Sequence, residues 1–216
     1  MSYIKSIGQA HNLDAKVGIS YFQRDTTGLG AVGQGASSDL IPTLNASATP
    51  VSVTGFESRQ VLVGYFSRIN YDYMEKYLVS LNARYDGASN LGKTHQWGFF
   101  PGVSVGWNLH KENFWKGISE DMLRVKLRAS YGVNGNIAGL TDFQSQGQYS
   151  VGALYGGNAA ITNTVLANSS LKWERSKTVN IGTDIAIWNG RINMLVDVYR
   201  RVTDNLLTDL SLPLST

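Results

Sequence analysis

The fold is decided by the stretch "WGFFPGVSVGWNL", residues 97–109, in which two kinds of side chain alternate. The odd positions, from Trp97 to Leu109, are all apolar, whereas the even positions are Gly, Ser and Asn apart from Phe100. A period of two predicts a β-strand with one apolar face. The stretch is about twice as long as a typical strand of a soluble core. The apolar face therefore meets either a protein core or lipid.

The same alternation recurs along the chain and predicts seven strands in all. The cleanest repeat runs from Leu123 to Val133, where apolar residues alternate with Arg124, Lys126 and Arg128. Strands of this length approach or exceed the ~9–11 residues that cross a bilayer obliquely. The six further segments are 12–21, 58–70, 77–86, 123–134, 176–187 and 192–199.

The connections between the segments are short at one end and long at the other. Short connections are 71–75 and Asn189-Gly190, a dipeptide that favours a type I′ hairpin because both positions accept positive φ. Residues 110–121 have room for one helical turn. The long connections, rich in Gly, Ser, Asn and Thr, are 24–57, 87–96 and 135–171, the last with room for a hairpin at Gly156-Gly157. This asymmetry is typical of an up-and-down transmembrane barrel.

Aromatic residues mark both ends of the apolar stretches, as the girdles of a membrane barrel do. We therefore expect an all-β fold, an antiparallel up-and-down meander that forms part of a large transmembrane β-barrel. Its apolar face would meet lipid and its polar face would line a lumen. The aromatics near the short turns are Tyr71, Tyr73, Tyr77, Trp107, Phe114, Trp115 and Trp188, and those near the long loops are Tyr85, Trp97, Phe99, Tyr131 and Trp173.

The composition narrows the function classes. Only 16% of the 216 residues are charged, and the net charge of +3 is spread along the chain, so a nucleic-acid partner is not expected. The absence of Cys excludes disulfides and thiolate metal sites. There is no apolar run long enough for a transmembrane helix. Residues 1–10 contain one Lys and no apolar core, so no signal peptide is expected.

Several long motifs, in a fixed order, carry a family resemblance. The chain resembles the later barrel of SusC/RagA-type TonB-dependent outer-membrane transporters from about residue 11 to residue 213. An earlier segment, "HNLDAKVGISY" followed by "IPTLNA", is similar to the part of the family that precedes this region. The motifs are "YFSRINYDYMEKYLVSLNARYDGASNLG", "WGFFPGVSVGWNL", "LRVKLRASYGVNGN" and "NSSLKWERSKTVNIGTDIAIWNGRINMLVDVYRRVTDNLL".

The resemblance implies a part of a larger protein. Members of this family carry a signal peptide, an N-terminal extension, a plug domain with a TonB-contacting segment, and a barrel of 22 strands, a size typical of plugged transporters. We therefore expect residues 1–216 to be a partial TonB-dependent receptor β-barrel domain without a plug, a signal peptide or the final strands. Seven strands would leave two unpaired edges in lipid, where each unsatisfied backbone group costs several kcal/mol.

The resemblance also implies a function and partners. We expect part of an importer of oligosaccharides or peptides in the outer membrane of a Gram-negative cell, surrounded by its lipid. A SusD-like surface lipoprotein would act as a lid, and the TonB complex would supply energy through the plug. Loops 24–57 and 135–171 are the expected contacts for lid or substrate, because functional variation concentrates in loops. The family motifs mark the scaffold, so no individual substrate-binding residue follows from them.

Three apparent sites have simpler readings. "GLGAVG", Gly28–Gly33, matches a dinucleotide fingerprint, but the following "QGASSDLIP" is no helix, so no cofactor is expected. One face of the fifth predicted strand carries Arg124, Lys126 and Arg128. These side chains would bind an anionic solute, or else they would pair with carboxylates of neighbouring strands or of a plug. Tyr149 and Tyr155 would stack on sugar rings or pack within their own loop.

No catalytic constellation is present in the sequence. His11, His95 and His110 show none of the spacings of metal ligands, and there is no G-x-S-x-G elbow. Glu174 and Asp184 are ten residues apart on one strand, about 33 Å, too far for a glycosidase pair. We expect neither an enzyme nor a metal site.

Two alternatives from other classes remain open. A passive porin-like channel would share the barrel but lack a plug, so an upstream plug and TonB box distinguish the two. A soluble β-sandwich, an adhesin or carbohydrate-binding module, would pack its apolar strand faces against each other. The regular alternation of short and long connections argues against a sandwich, whose connections usually include Greek-key crossovers.

Overall fold

The computed structural model describes residues 1–8, 10–41 and 43–208, in which ten strands are found. Eight of them form one antiparallel sheet in the order β1-β2-β3-β4-β5-β6-β9-β10, and β7 and β8 form a separate hairpin. Neighbours in the sheet are therefore neighbours along the chain, with the hairpin inserted between β6 and β9. The strands are β1 (Ser2–Ile7), β2 (His11–Ala36), β3 (Ser47–Tyr73), β4 (Tyr77–Ala88), β5 (Trp97–Asn108), β6 (Leu123–Asn136), β7 (Gln148–Tyr155), β8 (Asn158–Val165), β9 (Glu174–Ile187) and β10 (Ile192–Asp204).

The register keeps the apolar residues on one face across the whole sheet. On β6, β9 and β10, Ala129 pairs with Ile181, which pairs in turn with Val198. Ile181 is 63% exposed and Val198 is 73% exposed, so no described part of the chain covers this face. A soluble β-sandwich would need a second sheet packed on this face. A single sheet with an uncovered apolar face is instead the architecture of a membrane-barrel wall.

All seven predicted strands are present, and one strand of the sheet was missed. Residues Ser2–Ile7 form β1, which pairs with the start of β2. Alternation does not reveal this strand, because Lys5 lies on the face shared by Tyr3 and Ile7 and breaks the apolar–polar pattern. Its pairing depends on the backbone hydrogen bonds that the edge of β2 offers, which alternation does not report.

The prediction of a loop over 24–57 was wrong for most of that range. Strand β2 continues to Ala36 and β3 begins at Ser47, so only a short connection separates them, with a 3₁₀ turn at Leu44–Ala46. The 13 residues of β2 beyond Gln23 make a projection of about 43 Å. Small and polar residues predominate here, so the sequence shows no period of two. The strands still pair from Arg24 to Ala36, because the hydrogen bonds of the ladder use only backbone groups.

Two short turns have the same left-handed geometry. Asn189 and Gly190 have φ of +55° and +77°, the positive values predicted for them, and Trp188 before them is also left-handed at +53°. The Arg191 amide donates to the Trp188 carbonyl at 3.1 Å. Between β3 and β4, Met74 and Glu75 have φ of +55° and +56°. There the Lys76 amide donates to the Tyr73 carbonyl at 2.9 Å, so the same turn is built from two residues that disfavour it.

Two predictions for the connections are confirmed. Residues 110–121 hold short helical turns, with 3₁₀ turns at Leu109–Lys111 and Asn113–Trp115. The 135–171 connection holds the β7–β8 hairpin, whose turn residues Gly156 and Gly157 have φ of +57° and +85°. Among the residues that the structure describes, there is no helix with the length and apolarity needed to cross a membrane.

Candidate functional site: the two faces of the wall

A chain of aromatic rings runs along the apolar face beside the short turns. The ring centroids of His11 and Tyr73 are 4.9 Å apart, those of Tyr73 and Tyr77 6.3 Å, and those of Tyr77 and Trp107 6.4 Å. Phe114 continues the chain at 6.5 Å from Trp107. These five rings, here called the short-turn girdle, cross from β2 to the connection after β5. Such a belt is the expected anchor at the boundary between hydrocarbon and headgroups.

Glu112 orients two rings of the short-turn girdle, Tyr77 and Trp107. It lies between the two 3₁₀ turns and accepts hydrogen bonds from the Tyr77 hydroxyl at 2.7 Å, the Trp107 Nε1 at 3.1 Å and the Lys76 ammonium at 3.3 Å. These donors, Tyr77 foremost, hold the pKa of the Glu112 carboxyl below its usual value. The role of Glu112 was not predicted from the sequence. Its only signal was an acid beside Phe and Trp in "KENFW".

A second group of aromatics, the long-loop girdle, lies at the other end of the same face. Trp97 stacks on Tyr85 with centroids 4.9 Å apart and on Tyr65 at 6.0 Å. Gly87 lies opposite Trp97, and its lack of a side chain lets the indole lie directly on the backbone. A Cβ added at Gly87 would come within 3.0 Å of the ring. Tyr131 and Phe99 are also exposed at this end of the apolar face.

The prediction that Trp173 belongs to this girdle was wrong. Trp173 is only 9% exposed and meets the ring of Phe100 edge-on, with centroids 5.2 Å apart. Its Nε1 donates to the carbonyl of Gln96 at 2.9 Å. The residue directly precedes β9 and folds inward with the loops, which its position in the sequence does not reveal.

The separation of the two girdles fits the hydrocarbon of a bilayer. Tyr77 and Tyr85 are eight residues apart on β4, about 27 Å along the strand. At the usual strand tilt of about 35–45°, this corresponds to about 19–22 Å along the membrane normal. That height is close to the ~25 Å apolar band of outer-membrane barrels.

The opposite face of the sheet is polar, and its charges are paired in part. Arg128 donates from Nε to Asp184 at 2.7 Å and from Nη2 to Asp197 at 3.0 Å, so it bridges β6, β9 and β10. This matches the pairing interpretation of the basic residues on β6. Among the described residues, Lys126 and Arg124 make no ion pair. These two cations remain available to a solute or to another part of the protein.

Arg84 and Phe66 form a second feature of the polar face. The Arg84 guanidinium binds both oxygens of Asp86, at 3.0 and 2.8 Å, and lies 5.8 Å from the centroid of Phe66. The Phe66 ring covers Gly18 on β2, where an added Cβ would approach its tip to 2.4 Å. A bulky side chain at position 18 would displace the ring. The glycine therefore lets an aromatic side chain lie flat against the wall.

The long loops fold over the polar face in a small buried cluster. Its residues include Leu91, Phe100 and Trp173, and the Ser145 hydroxyl donates to the Leu91 carbonyl at 3.1 Å. Asn90 is only 1% exposed, and neither atom of its amide has a hydrogen-bond partner within the described part of the chain. This cluster ties the connection after β4 to the connection before β9 at one end of the wall.

The other predicted sites are dispersed. Gly28–Gly33 lies within β2, which continues as a strand to Ala36, so these glycines do not lead directly into a helix N-terminus as a dinucleotide site requires. His11 bonds the Tyr71 hydroxyl at 2.7 Å, His95 bonds Thr94 at 2.8 Å, and His110 bonds the Val125 carbonyl at 3.1 Å. There is no metal-binding group of His, Asp and Glu in the described residues.

Two predicted features lie on strands. Glu174 begins β9 and Asp184 lies ten residues along the same strand, so they form no catalytic pair. Tyr149 and Tyr155 belong to β7 and are strongly exposed, the latter at 84%. The exposed Tyr side chains are not packed within their own loop, so their surface is open to a ligand.

Comparison with known proteins identifies the architecture. The family model "TonB dependent receptor-like, beta-barrel" matches residues 3–216. TonB-dependent receptor P3 of Formosa agariphila is 34% identical over 218 residues, which is 99% of this chain and 22% of that relative. TonB-dependent receptor SusC of Bacteroides thetaiotaomicron is 34% identical over 227 residues, 100% of this chain and 22% of SusC.

Solved structures share the fold. A structure of the RagAB peptide transporter matches with a TM-score of 0.88 and 24% identity, over 98% of this chain and 24% of that one. The RagAB peptide importer in its "open-open" state matches with a TM-score of 0.84 and 23% identity, over 98% of this chain and 23% of that one. The chain thus spans about a fifth to a quarter of the length of its relatives. It belongs to the TonB-dependent receptor β-barrel family of outer-membrane proteins and is SusC-like.

Proposed function

We propose that the chain forms part of the barrel wall of an outer-membrane transporter that imports oligosaccharides or peptides. The observation that carries the proposal is the two-sided sheet: an uncovered apolar face bounded by two aromatic girdles, and a polar face opposite. In a membrane barrel the first face meets lipid and the second lines the lumen. Membership of a SusC-like family of transporters agrees with this arrangement.

The polar face suits the passage of large hydrated solutes. Arg128 is neutralised by Asp184 and Asp197, so that part of the wall presents hydrogen-bonding groups without a strong net field. Lys126 and Arg124 lie close by on the same face and would contact a plug that fills the lumen. The exposed Tyr149 and Tyr155 on the β7–β8 hairpin are candidates for stacking against sugar rings or peptide side chains.

The proposal includes two partners. A SusD-like surface lipoprotein would cover the long-loop end, and the TonB complex would supply energy through a plug elsewhere in the complete protein. The SusC relative and the RagAB peptide importer structures support the transporter assignment. The β2–β3 projection and the β7–β8 hairpin are the segments that reach towards a lid. In this proposal residues 1–216 are a partial barrel domain, and no catalytic step occurs in the wall.

Uptake by cells tests the proposal against a passive channel. Cells that express the complete protein are given labelled maltooligosaccharides or labelled oligopeptides, with and without TonB and with and without a protonophore. We expect accumulation of one class that stops when TonB or the proton gradient is removed. Entry of either class that persists without energy would instead indicate a porin-like channel.

A further inference from the structure

Three phenylalanines line the polar face of β2 and β3, and all three are exposed. Phe66 and Phe56 lie ten residues apart on β3, about 33 Å along the strand, and the register places them on the same face. Phe22 of β2 pairs with Leu62 and so lies between them on that face. The exposed fractions are 38% for Phe66, 49% for Phe22 and 61% for Phe56. These three rings are here called the aromatic track.

Two rings of the aromatic track lie flat because each faces a glycine of β2. Phe66 pairs with Gly18, and Phe56 pairs with Gly28. A Cβ added at either glycine would overlap the ring opposite, so neither position leaves room for a side chain. One side of each ring therefore covers backbone while the other stays open. An open, flat ring is suited to stacking against a planar apolar surface.

Polar side chains converge over a third glycine beside Phe66. Gly64 pairs with both Ser20 and Asp86, and a Cβ added there would contact both of their side chains and the Arg84 guanidinium. Arg84 binds both oxygens of Asp86, so the two charges cancel, and it lies 5.8 Å from the Phe66 centroid. Half of the Arg84 side chain remains exposed. Ser20, Arg84 and Asp86 are here called the Gly64 cluster.

An open aromatic ring beside a neutral group of donors and acceptors matches the chemistry of a sugar. The C–H groups on one side of a pyranose form a flat apolar surface that stacks on an aromatic ring. The hydroxyl groups at its edge both donate and accept hydrogen bonds, as the Gly64 cluster also does. A charged ligand would instead need an unneutralised charge of opposite sign. The site therefore favours a neutral sugar.

We propose that the aromatic track binds neutral oligosaccharides, with sugar rings stacked on its phenylalanines and hydroxyl groups hydrogen-bonded to the Gly64 cluster. The track begins on the β2–β3 projection at Phe56. It ends beside the long-loop girdle, because Phe66 directly follows Tyr65 on β3. A sugar chain that leaves one ring therefore meets the next along the direction of entry. This inference rests on the proposed function and deepens it by selecting oligosaccharides over peptides.

The simpler role of these rings is to cover glycine backbone, which by itself stabilises a sheet. A leucine at position 66 would still give Gly18 an apolar cover, but it has no flat ring for a sugar. Tyrosine at the same position keeps the ring. Phe66→Leu and Phe66→Tyr therefore separate a stacking role from a covering role.

The test measures binding to the complete transporter, purified in detergent with any lipoprotein that copurifies. Isothermal titration calorimetry uses maltoheptaose, laminarihexaose, xylohexaose and mannohexaose, with hexaalanine as the peptide probe. F99L is the matched control, because Phe99 is 54% exposed on the opposite, apolar face. We expect wild type to bind at least one of the oligosaccharides and F66L to bind it about tenfold more weakly, a loss of about 1.4 kcal/mol. F66Y and F99L should bind it like wild type.

A second variant tests the Gly64 cluster. R84Q/D86N removes the bidentate pair while keeping the site neutral and the ring of Phe66 in place. We expect it to weaken oligosaccharide binding as well, because amides replace the charge-assisted groups that meet the hydroxyls. Thermal unfolding of every variant shows whether the barrel remains folded.

Several results would overturn the proposal. Wild type that binds none of the four oligosaccharides would do so, whether or not it binds hexaalanine. Equal oligosaccharide binding by F66L and wild type would do so too, and would leave the rings the role of covering glycine backbone. Energy-dependent uptake by wild-type cells tests the proposed function separately. Sugar binding that depends on Phe66 without such uptake would keep the aromatic track and remove the importer.

Discussion

The two ends of the wall are held in different ways. At the short-turn end, a single carboxylate, Glu112, gathers a phenol, an indole and an ammonium group around it. At the long-loop end, a buried apolar cluster around Trp173 and Leu91 ties loops together across the polar face. The first end needs only local orientation at a membrane boundary. The second must hold long connections over a lumen, which requires burial of apolar surface.

Truncation of the long-loop cluster should have the largest effect on stability. Trp173→Ala removes a ring that packs on Phe100 and a hydrogen bond to Gln96. We expect a loss of about 3–5 kcal/mol in the opening free energy of this end. Hydrogen exchange at the Gly92 amide, which donates to the Leu171 carbonyl at 3.0 Å, reports that opening. Unchanged exchange there would show that the cluster does not hold the loops.

Removal of the unpaired amide in the same cluster should have a smaller and opposite effect. Asn90→Leu keeps the branched shape and the number of side-chain heavy atoms, and eliminates two buried groups that have no partner within the described part of the chain. We expect the opening free energy to rise by about 1–3 kcal/mol, with Gly92 exchange slowed. Asn90→Asp is the control and should weaken the cluster, because it buries a charge. Faster exchange in the Leu variant would mean that the amide makes a necessary contact.

Relief of the left-handed turn between β3 and β4 should stabilise the short-turn end slightly. Met74 and Glu75 both have positive φ, which costs most residues about 1 kcal/mol or more. Met74→Asn/Glu75→Gly supplies the residues that a type I′ turn favours. We expect a gain of about 1 kcal/mol, seen as slower exchange at the Lys76 amide. The Asn189-Gly190 turn, which already has this sequence, provides the reference.

The carboxylate of the short-turn girdle should make that end sensitive to acid. The folded pKa of Glu112 lies below its ordinary value of about 4.3. Its stabilisation is therefore complete above the ordinary pKa and is lost as the pH falls through the lower folded pKa. We expect Trp107 fluorescence to change in that acid range, and Glu112→Gln to abolish the change. A Gln variant with the same acid transition would assign it to another group.

The parts of the fold that were predictable depend on alternation. From Trp97 to Leu109 and from Leu123 to Val133, one face must be apolar, so the period of two appears in the sequence and fixes the register. The β2–β3 projection has no such demand, because both of its faces lie outside the band between the girdles. Its ladder depends on backbone groups, and small residues at Gly28 and Gly30 conceal it.

The features of the candidate site were less predictable because they depend on contacts between distant segments. The girdle positions of Tyr77 and Trp107 followed from strand ends, but the role of Glu112 depends on a connection that folds back onto β4 and β5. Trp173 was assigned to the wrong group for the same reason. An aromatic residue at a strand end belongs either to an inward-folded loop or to an outward-facing girdle, and its position in the sequence is the same in both cases. Sequence alternation reports a face only where the strand is regular.

The most direct test of the account is which face of β9 meets lipid. A spin label is placed at Ile181→Cys or at its neighbour Asn180→Cys in the complete transporter. These 216 residues contain no Cys, and any Cys elsewhere in the complete transporter is replaced by Ser. Collision with oxygen, which concentrates in lipid, and with a water-soluble nickel chelate is measured for each. We expect the label at 181 to collide with oxygen and the label at 180 with nickel. Nickel access at 181 together with oxygen access at 180 would contradict the assignment of the two faces.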